Sequence, residues 1–233
     1  MAIYINSFAL SQGSYSITLS SAVTAYNLRS DLINNHGWDG VEAIEVKLTI
    51  NSGVLIKSNT STTALVVDLV SGSTLTLTNN GTIRGHYGSG GTASAGAIGG
   101  SGGSGFNAIS LSNVSASIIN TGEISGGGGG GGASGGTNSA AQEDAEGDCE
   151  EFATSTGTAG GRGAGGSFAS NVSNGGGLGT AGSAGAAGTN YVHALCRESF
   201  AGGSPGAAGK AISVLTGGSR TISNSGSING ANS

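Results

Sequence analysis

The sequence predicts a mainly β protein. An N-terminal β module of solenoid-like or sandwich coils, with one short helix, precedes a polyglycine-II helical bundle with protruding loops. Three observations carry this prediction. Short apolar runs with period-two alternation fill the first third of the chain. The pattern Asn-x-Gly-x-Ile-x-Gly occurs three times, starting at Asn79, Asn120 and Asn224. Seven consecutive glycines, Gly126 to Gly132, begin at the last residue of the second copy. Bare backbone builds neither a hydrophobic core nor a lasting helix, because glycine loses the most entropy on ordering. Such a run is either a flexible linker or a set of extended strands packed backbone against backbone.

Taken in order, residues 2–24 read as short strands. Ile3 and Ile5, then Tyr15, Ile17 and Leu19, alternate with small polar residues, and Asn6-Ser7 and Gln12-Gly13 are the turns. Residues 25–36 form the helix, with Leu28, Leu32 and Ile33 on one face and Asn35-His36-Gly37 as its stop. Gly37-Trp38-Asp39-Gly40 is a tight turn, and Trp38 is expected to anchor a small core. Residues 41–78 are β throughout, with turns at Asn51-Ser52-Gly53 and Ser71-Gly72-Ser73. The motif copies each follow a β segment, and Asn-x-Gly suits a turn that tolerates positive φ. Three related coils are expected, each burying its Ile on the next.

The third copy ends almost at the C-terminus. The glycine-rich segment therefore leaves the β stack and returns to it, which favours an ordered bundle over a linker. The expected organisation is an attachment module at 1–84, a glycine-rich bundle at 85–210 interrupted by a β coil at 106–126, and a C-terminal coil at 211–233. Glycine runs near 85–105, 126–137, 157–167, 174–190 and 202–209 carry Ala, Ser and Thr besides Gly. Most of the remaining chemistry lies between them, where binding residues on a rigid scaffold concentrate.

Composition excludes several classes. With 48 glycines but a single proline among 233 residues, the chain cannot be collagen. Charged residues make up 9%, too few for an ordinary disordered chain. A net charge of −5 with no basic run argues against nucleic-acid binding. No apolar stretch reaches the roughly 18–20 residues that span a bilayer. Met1-Ala2-Ile3-Tyr4-Ile5 lacks the basic segment and apolar run of a secretory signal, so release by lysis is expected if the protein acts outside its cell of origin.

The candidate binding residues are Tyr87, Phe168, Tyr191, His193, Leu195, Arg197 and Phe200, because aromatics and Arg carry interface energy disproportionately. The bland alternative has Leu195 and Phe200 packing the loop bases. Glu143, Asp144 and Glu146 belong to an acidic loop suited to steering toward a basic surface. That loop lacks the order and glycine placement of a calcium-binding helix-loop-helix, and no metal or cofactor is expected. Cys149 and Cys196 sit in two of these loops. Pairing them would close about 48 residues and stabilise by several kcal/mol, while the alternative is two unrelated thiols. No Ser-His-Asp set has a nucleophile motif, and Gly102-Gly103-Ser104-Gly105 lacks the Lys of a phosphate-binding loop.

The repeated coil running into glycine tracts resembles the receptor-binding tip adhesins of tailed bacteriophages. Tyr26-Asn27-Leu28-Arg29, Gly37-Trp38-Asp39-Gly40 and Leu48-Thr49-Ile50-Asn51-Ser52-Gly53-Val54 also look like a module of phage tail proteins. The resemblance implies a sandwich of polyglycine-II helices joined by variable loops. Those loops would contact a bacterial outer-membrane protein or a surface saccharide at the distal tip of the tail or tail fibre. The N-terminal part does not resemble the attachment domain of the T-even-type adhesins. Docking to a tail-fibre or tail-tip protein is nonetheless expected of it, as a homotrimer or a monomeric cap. The alternatives are a structural or ice-binding polyglycine-II protein, whose flat faces need no acidic or aromatic interruptions, and a polysaccharide depolymerase on a β-solenoid. The depolymerase would have to work with Asp68 and Glu123, the carboxylates in or beside the later β segments.

Overall fold

A computed structural model describes residues 13–59, 62–93, 98–134, 137–143, 149–155, 175–186, 197–199 and 201–233. The described chain is mainly β, with one short helix. Its strands are β1 (Gly13–Leu19), β2 (Val23–Thr24), β3 (Tyr26–Asn27), β4 (Ile44–Ile50), β5 (Leu55–Lys57), β6 (Leu65–Asn79), β7 (Thr82–Arg84), β8 (Ile109–Asn120), β9 (Glu123–Ser125), β10 (Thr137–Glu143), β11 (Cys149–Ser155), β12 (Arg197–Ser199), β13 (Ile212–Val214), β14 (Ser219–Asn224) and β15 (Ser227–Asn229). The helix is α1 (Leu28–Asn35).

A longer strand, a corner and a short strand make one coil, and successive coils pair in parallel. The longer strands form a sheet in the order β1-β4-β6-β8-β13, with β14 also on β8 and β3 on β6. The short strands form a second sheet in the order β15-β9-β7-β5-β2. Alternate residues of both sheets point into one core, including Val46, Leu48 and Ile50 of β4, Leu75 and Leu77 of β6, and Ile83 and Ile124 of the short strands. Ile56, Ile83, Ile124 and Ile228 stack in register through the second sheet.

The helix is one turn shorter than the sequence suggests, because Tyr26 and Asn27 are drawn into β3 beside Leu65 and Val66. Asn27 then caps it, its side chain accepting from the Ser30 N–H at 3.0 Å. Gly37, at φ +73, turns the chain so that the Trp38 N–H reaches back to the Leu32 carbonyl. Leu28, Leu32 and Trp38 are buried, while Ile33 is 40% exposed. Arg29 lies over the Trp38 ring at 5.3 Å and donates to the Gly40 carbonyl at 2.9 Å.

Ser71-Gly72-Ser73 does not end a strand. β6 runs through it, and the register against β8 jumps from Asp68↔Ser112 to Ser73↔Val114. Gly72 at φ +92 and Asn113 at φ 54 absorb the extra residues as a bulge.

The repeated motif builds a ladder of amides at one corner. Asn79 Nδ2 donates to Asn120 Oδ1 at 2.7 Å, and Asn120 Nδ2 donates to Asn224 Oδ1 at 2.7 Å. Asn79 and Asn120 are fully buried, and they also donate to the carbonyls of Glu123 and Ser227 in the next coil. The motif's first glycine has a different reason from the one the sequence suggests. None of Gly81, Gly122 and Gly226 has a positive φ. A Cβ on Gly122 would instead overlap the Gly81 carbonyl, and one on Gly226 the Gly122 carbonyl. Close stacking of the corners, not turn geometry, demands glycine there.

Beyond the first two copies the chain enters a glycine run in which every third N–H bonds to another run. Gly85, Gly88 and Gly91 donate to Ser125, Gly128 and Gly131, and Gly127, Gly130 and Ala133 donate to Phe106, Gly103 and Gly100. Gly203, Gly206 and Gly209 donate in turn to Ala133, Gly130 and Gly127. The run at 126–133 is buried along its whole length. A Cβ on Gly127, Gly130 or Gly132 would overlap the carbonyl of His86, Ser89 or Gly203.

An ion pair seals the junction of coils and runs. Arg84 Nε and Nη2 donate to the two Glu123 carboxylate oxygens at 2.8 and 2.7 Å. Ser125 Oγ also donates to Glu123, and Asn229 Nδ2 donates to Ser125 Oγ. The Arg84 hydrogen bonds hold the Glu123 carboxyl below its usual range against the opposing effect of burial. Near the helix, Asp31 accepts from Tyr26 Oη and Asn35 Nδ2, both at 2.7 Å. Burial opposes its ionisation, but these bonds and His36 outweigh burial and keep its carboxyl low as well.

Three outcomes follow for stability. Asn120→Ala removes the acceptor of the buried Asn79 amide and should cost about 2–4 kcal/mol by denaturant melting, whereas Asn80→Ala, on the exposed flank, should cost under about 1 kcal/mol. Gly130→Ala should abolish the folded bundle or lower the thermal midpoint sharply, while Gly177→Ala, whose added Cβ meets only a Thr180 side chain at 3.4 Å, should be tolerated. A lowered folded pKa stabilises fully above the unfolded carboxylate value of about 4.3 and is lost as pH falls through the folded value. Thermal midpoints should therefore drop below about pH 4.5. Glu123→Gln should start lower at neutral pH and drop less steeply.

Candidate functional site

The glycine runs give the bundle two different ends. At the base, Gly85 bonds to Ser125, Gly126 to Asn229, and Gly179 to Gly126. The opposite end is defined by Gly91 bonding to Gly131, Ala133 to Gly100, Gly99 to Ala201, and Gly185 to Gly203. An extended residue advances about 3 Å, so the ends lie roughly 20 Å apart. Three connections leave the far end: 92–99, the chain after Ala133, and the chain between Gly185 and Gly203. The turn at 177–180 returns to the base, where a Cβ on Gly179 would overlap Asn229.

Two of those connections continue into an antiparallel sheet with the order β11-β10-β12. Thr137 opposes both Ser155 and Ser199, so the root of the sheet adjoins the bundle. Ser139 opposes Arg197 on one side, and Glu143 opposes Cys149 on the other. Glu143 and Cys149 thus hold the two ends of a hairpin whose connection carries the acidic stretch. Sequence separation hides this proximity, since β12 lies more than fifty residues beyond β10.

The site residues singled out from sequence distribute as follows. Glu143 and Arg197 lie on neighbouring strands of this sheet. Phe168, Tyr191, His193, Leu195, Phe200, Asp144, Glu146 and Cys196 lie outside the described residues. Tyr87 lies at the base, apart from Glu143 and Arg197. Its ring stacks on His86 at 4.0 Å, and His86 meets Phe106 edge-on at 6.2 Å. Strand order also bears on the cysteines. β11 and β12 flank β10 from opposite sides, about 10 Å apart, and a disulfide spans at most about 7 Å between Cα atoms.

Ile98 is a feature the sequence reading passed over. It is 65% exposed and directly precedes Gly99 at the far end of the bundle. Its only sequence signal is an isolated branched apolar residue within a tract of Gly, Ala, Ser and Thr.

The two carboxylates relevant to a depolymerase are not arranged as a pair. Both Glu123 oxygens are occupied by Arg84, and Asp68 Oδ1 accepts from Asn113 Nδ2 at 3.2 Å on the exposed side. The described residues hold no group of three or more His, Cys, Asp or Glu able to bind a metal ion.

The family model described as phage tail fibre adhesin Gp38 matches residues 14–233. No curated protein and no solved structure matches the chain. With the match extending from the first described strand to the last residue, the chain belongs to the Gp38 family of phage tail fibre adhesins.

Proposed function

We propose that this tail adhesin is a non-enzymatic tip protein that reads the host surface through the far end of its glycine bundle. In this reading residues 1–84 attach the protein to a tail fibre or tail tip, and the segment 85–210 is a polyglycine-II bundle carrying the recognition loops. The receptor is an outer-membrane protein or a surface saccharide. Its contacts come from Phe168, Tyr191, His193, Leu195, Arg197 and Phe200, with Glu143, Asp144 and Glu146 steering the approach. Tyr87, at the base, serves as a flanking contact.

The observation that carries this reading is the convergence of three connections on one end of a bundle whose runs are tied by backbone bonds. The three-residue spacing of those bonds, shared among several neighbouring runs, supports the polyglycine-II assignment. Anchoring loops at both ends lowers the entropy lost on contact, which favours tight binding at modest area. The occupied carboxylate of Glu123 supports binding over catalysis.

The test is binding of purified protein to a panel of bacterial cells, against a variant with residues 191–200 replaced by Gly and Ser. An unchanged thermal transition establishes that the variant is folded. Wild type should bind, and the folded variant should lose at least about tenfold in affinity. Equal binding by both removes the loop from the site, and no binding by wild type across the panel removes the adhesin role from this end of the molecule.

A further inference from the structure

We infer that His86, Tyr87 and Phe106 form a saccharide subsite on the side of the bundle at its base, and that it takes a neutral pyranose ring. This gives Tyr87, proposed above as a flanking contact, its ligand class; it rests on the adhesin reading, not on what the far end contacts. Among the described residues of the glycine runs, these three carry the only aromatic rings, and all three are half-buried. The runs themselves are held by backbone bonds, and residues 88–91 and 99–105 of the same two runs are Gly and Ser alone. The rings sit on fixed backbone. The Phe106 N–H donates to the His86 carbonyl at 2.8 Å, and the Gly127 N–H donates to the Phe106 carbonyl at 2.9 Å. Gly85 and Gly88, on either side of the His86-Tyr87 pair, donate to Ser125 and Gly128, both at 2.8 Å. His86 Nδ1 lies 2.8 Å from the Tyr87 carbonyl oxygen, which ties down the imidazole. The His86 and Tyr87 rings, 4.0 Å apart with 32° between their planes, and the edge-on Phe106 thus make a platform with little entropy to lose on contact.

The surroundings supply polar groups. The loop of the preceding coil brackets this spot: the Ser58 N–H donates to the Arg84 carbonyl at 2.9 Å, and the Ala64 N–H donates to the Asn107 carbonyl at 3.3 Å. The two aromatic-bearing runs therefore rise from the coil stack beside that loop, which carries Thr62 Oγ1 donating to Asn59 Oδ1 at 2.8 Å on the exposed side. Ser89, two residues past Tyr87, is exposed as well. Ring faces beside hydroxyl and amide groups match a pyranose, which has a C–H face and a hydroxyl rim. Stacking the C–H face removes apolar surface from water, and the rim hydroxyls find the partners that a purely apolar recess would deny them. Charge selects a neutral sugar. Arg84, two residues before His86, is balanced by both Glu123 carboxylate oxygens, so this adjacent cation is not offered to an acidic one.

The experiment uses the polysaccharide released by mild acid from the lipopolysaccharide of each strain in the cell panel. It is titrated into wild type, Tyr87→Ala, Tyr87→Phe and the variant with residues 191–200 replaced, followed by calorimetry and NMR. In wild type the ring resonances of His86, Tyr87 and Phe106 should shift with at least one polysaccharide, while those of Trp38 stay in place. Tyr87→Ala should keep the thermal transition and lose about tenfold or more in affinity, with Tyr87→Phe within about threefold of wild type. The 191–200 variant should bind the polysaccharide as wild type does. Unmoved ring resonances, or equal binding by a folded Tyr87→Ala, overturn the subsite, and the wild-type resonances decide alone should that variant unfold. Loss of polysaccharide binding in the 191–200 variant places the sugar at the far end and overturns the base subsite. Wild type that binds cells but no polysaccharide overturns the saccharide class and leaves the adhesin reading standing. Wild type whose rings respond to polysaccharide but which binds no cell overturns the adhesin reading and not the subsite.

Discussion

Peptide groups approaching one another with no side chain between them are the constraint on which this structure depends. At Gly126–Gly132 the backbone donates and accepts toward several neighbouring runs at once, and added β-carbons would enter neighbouring carbonyls. The buried backbone is satisfied by other backbone, as any buried polar chain must be. Outward positions are free of this restriction, and there the runs carry Ser101, Ser104, Ala181, Ser183 and Ser204. The single proline, Pro205, follows the same logic. It is exposed and falls between Gly203 and Gly206, which supply the donors of that run.

Such a bundle has no side-chain code to set its register, and the coil stack supplies one. Ile83, Ile124 and Ile228 stack in register, and Asn79, Asn120 and Asn224 lock the preceding corners. Each motif therefore delivers its last glycine to the base at a matched level. Arg84, Glu123, Ser125 and Asn229 tie three successive coils together at that point. The hydrophobic core thus acts on the glycine runs indirectly, by fixing where each begins.

This division of labour suits an adhesin of the tail fibre. Close packing freezes the runs, while the connections at the far end are free to carry chemistry that the bundle interior excludes. Binding groups placed there are separated from the core by roughly 20 Å of backbone. Changes in them have no apolar core to disturb. The proposed contact at Arg197 has this setting.

Much of the fold was legible in sequence because its signals are local. Period-two alternation marks β4 and β6, Leu28 and Leu32 with the stop at Gly37 mark the helix, and the triple motif announces stacked coils. The return of the third copy near the C-terminus shows that the glycine segment is closed at both ends. Other features exist only in the tertiary structure. The glycine of Asn-x-Gly looks like a turn residue until the carbonyl of the coil below is seen beneath it. Ser71-Gly72-Ser73 looks like a turn until β8 is found pairing on either side. Tyr87 groups with Arg197 as a contact residue by type, yet the runs hold it at the base of the bundle. Ile98 has no signal beyond isolation. Sequence determined the strands of the coil stack, the residues that fill its core and the tracts that must pack without side chains, whereas β10, β11 and β12 arise in segments that read as loops. Which carbonyl faces which glycine, and which connections share an end, was decided by folding alone, because those relations join residues tens of positions apart.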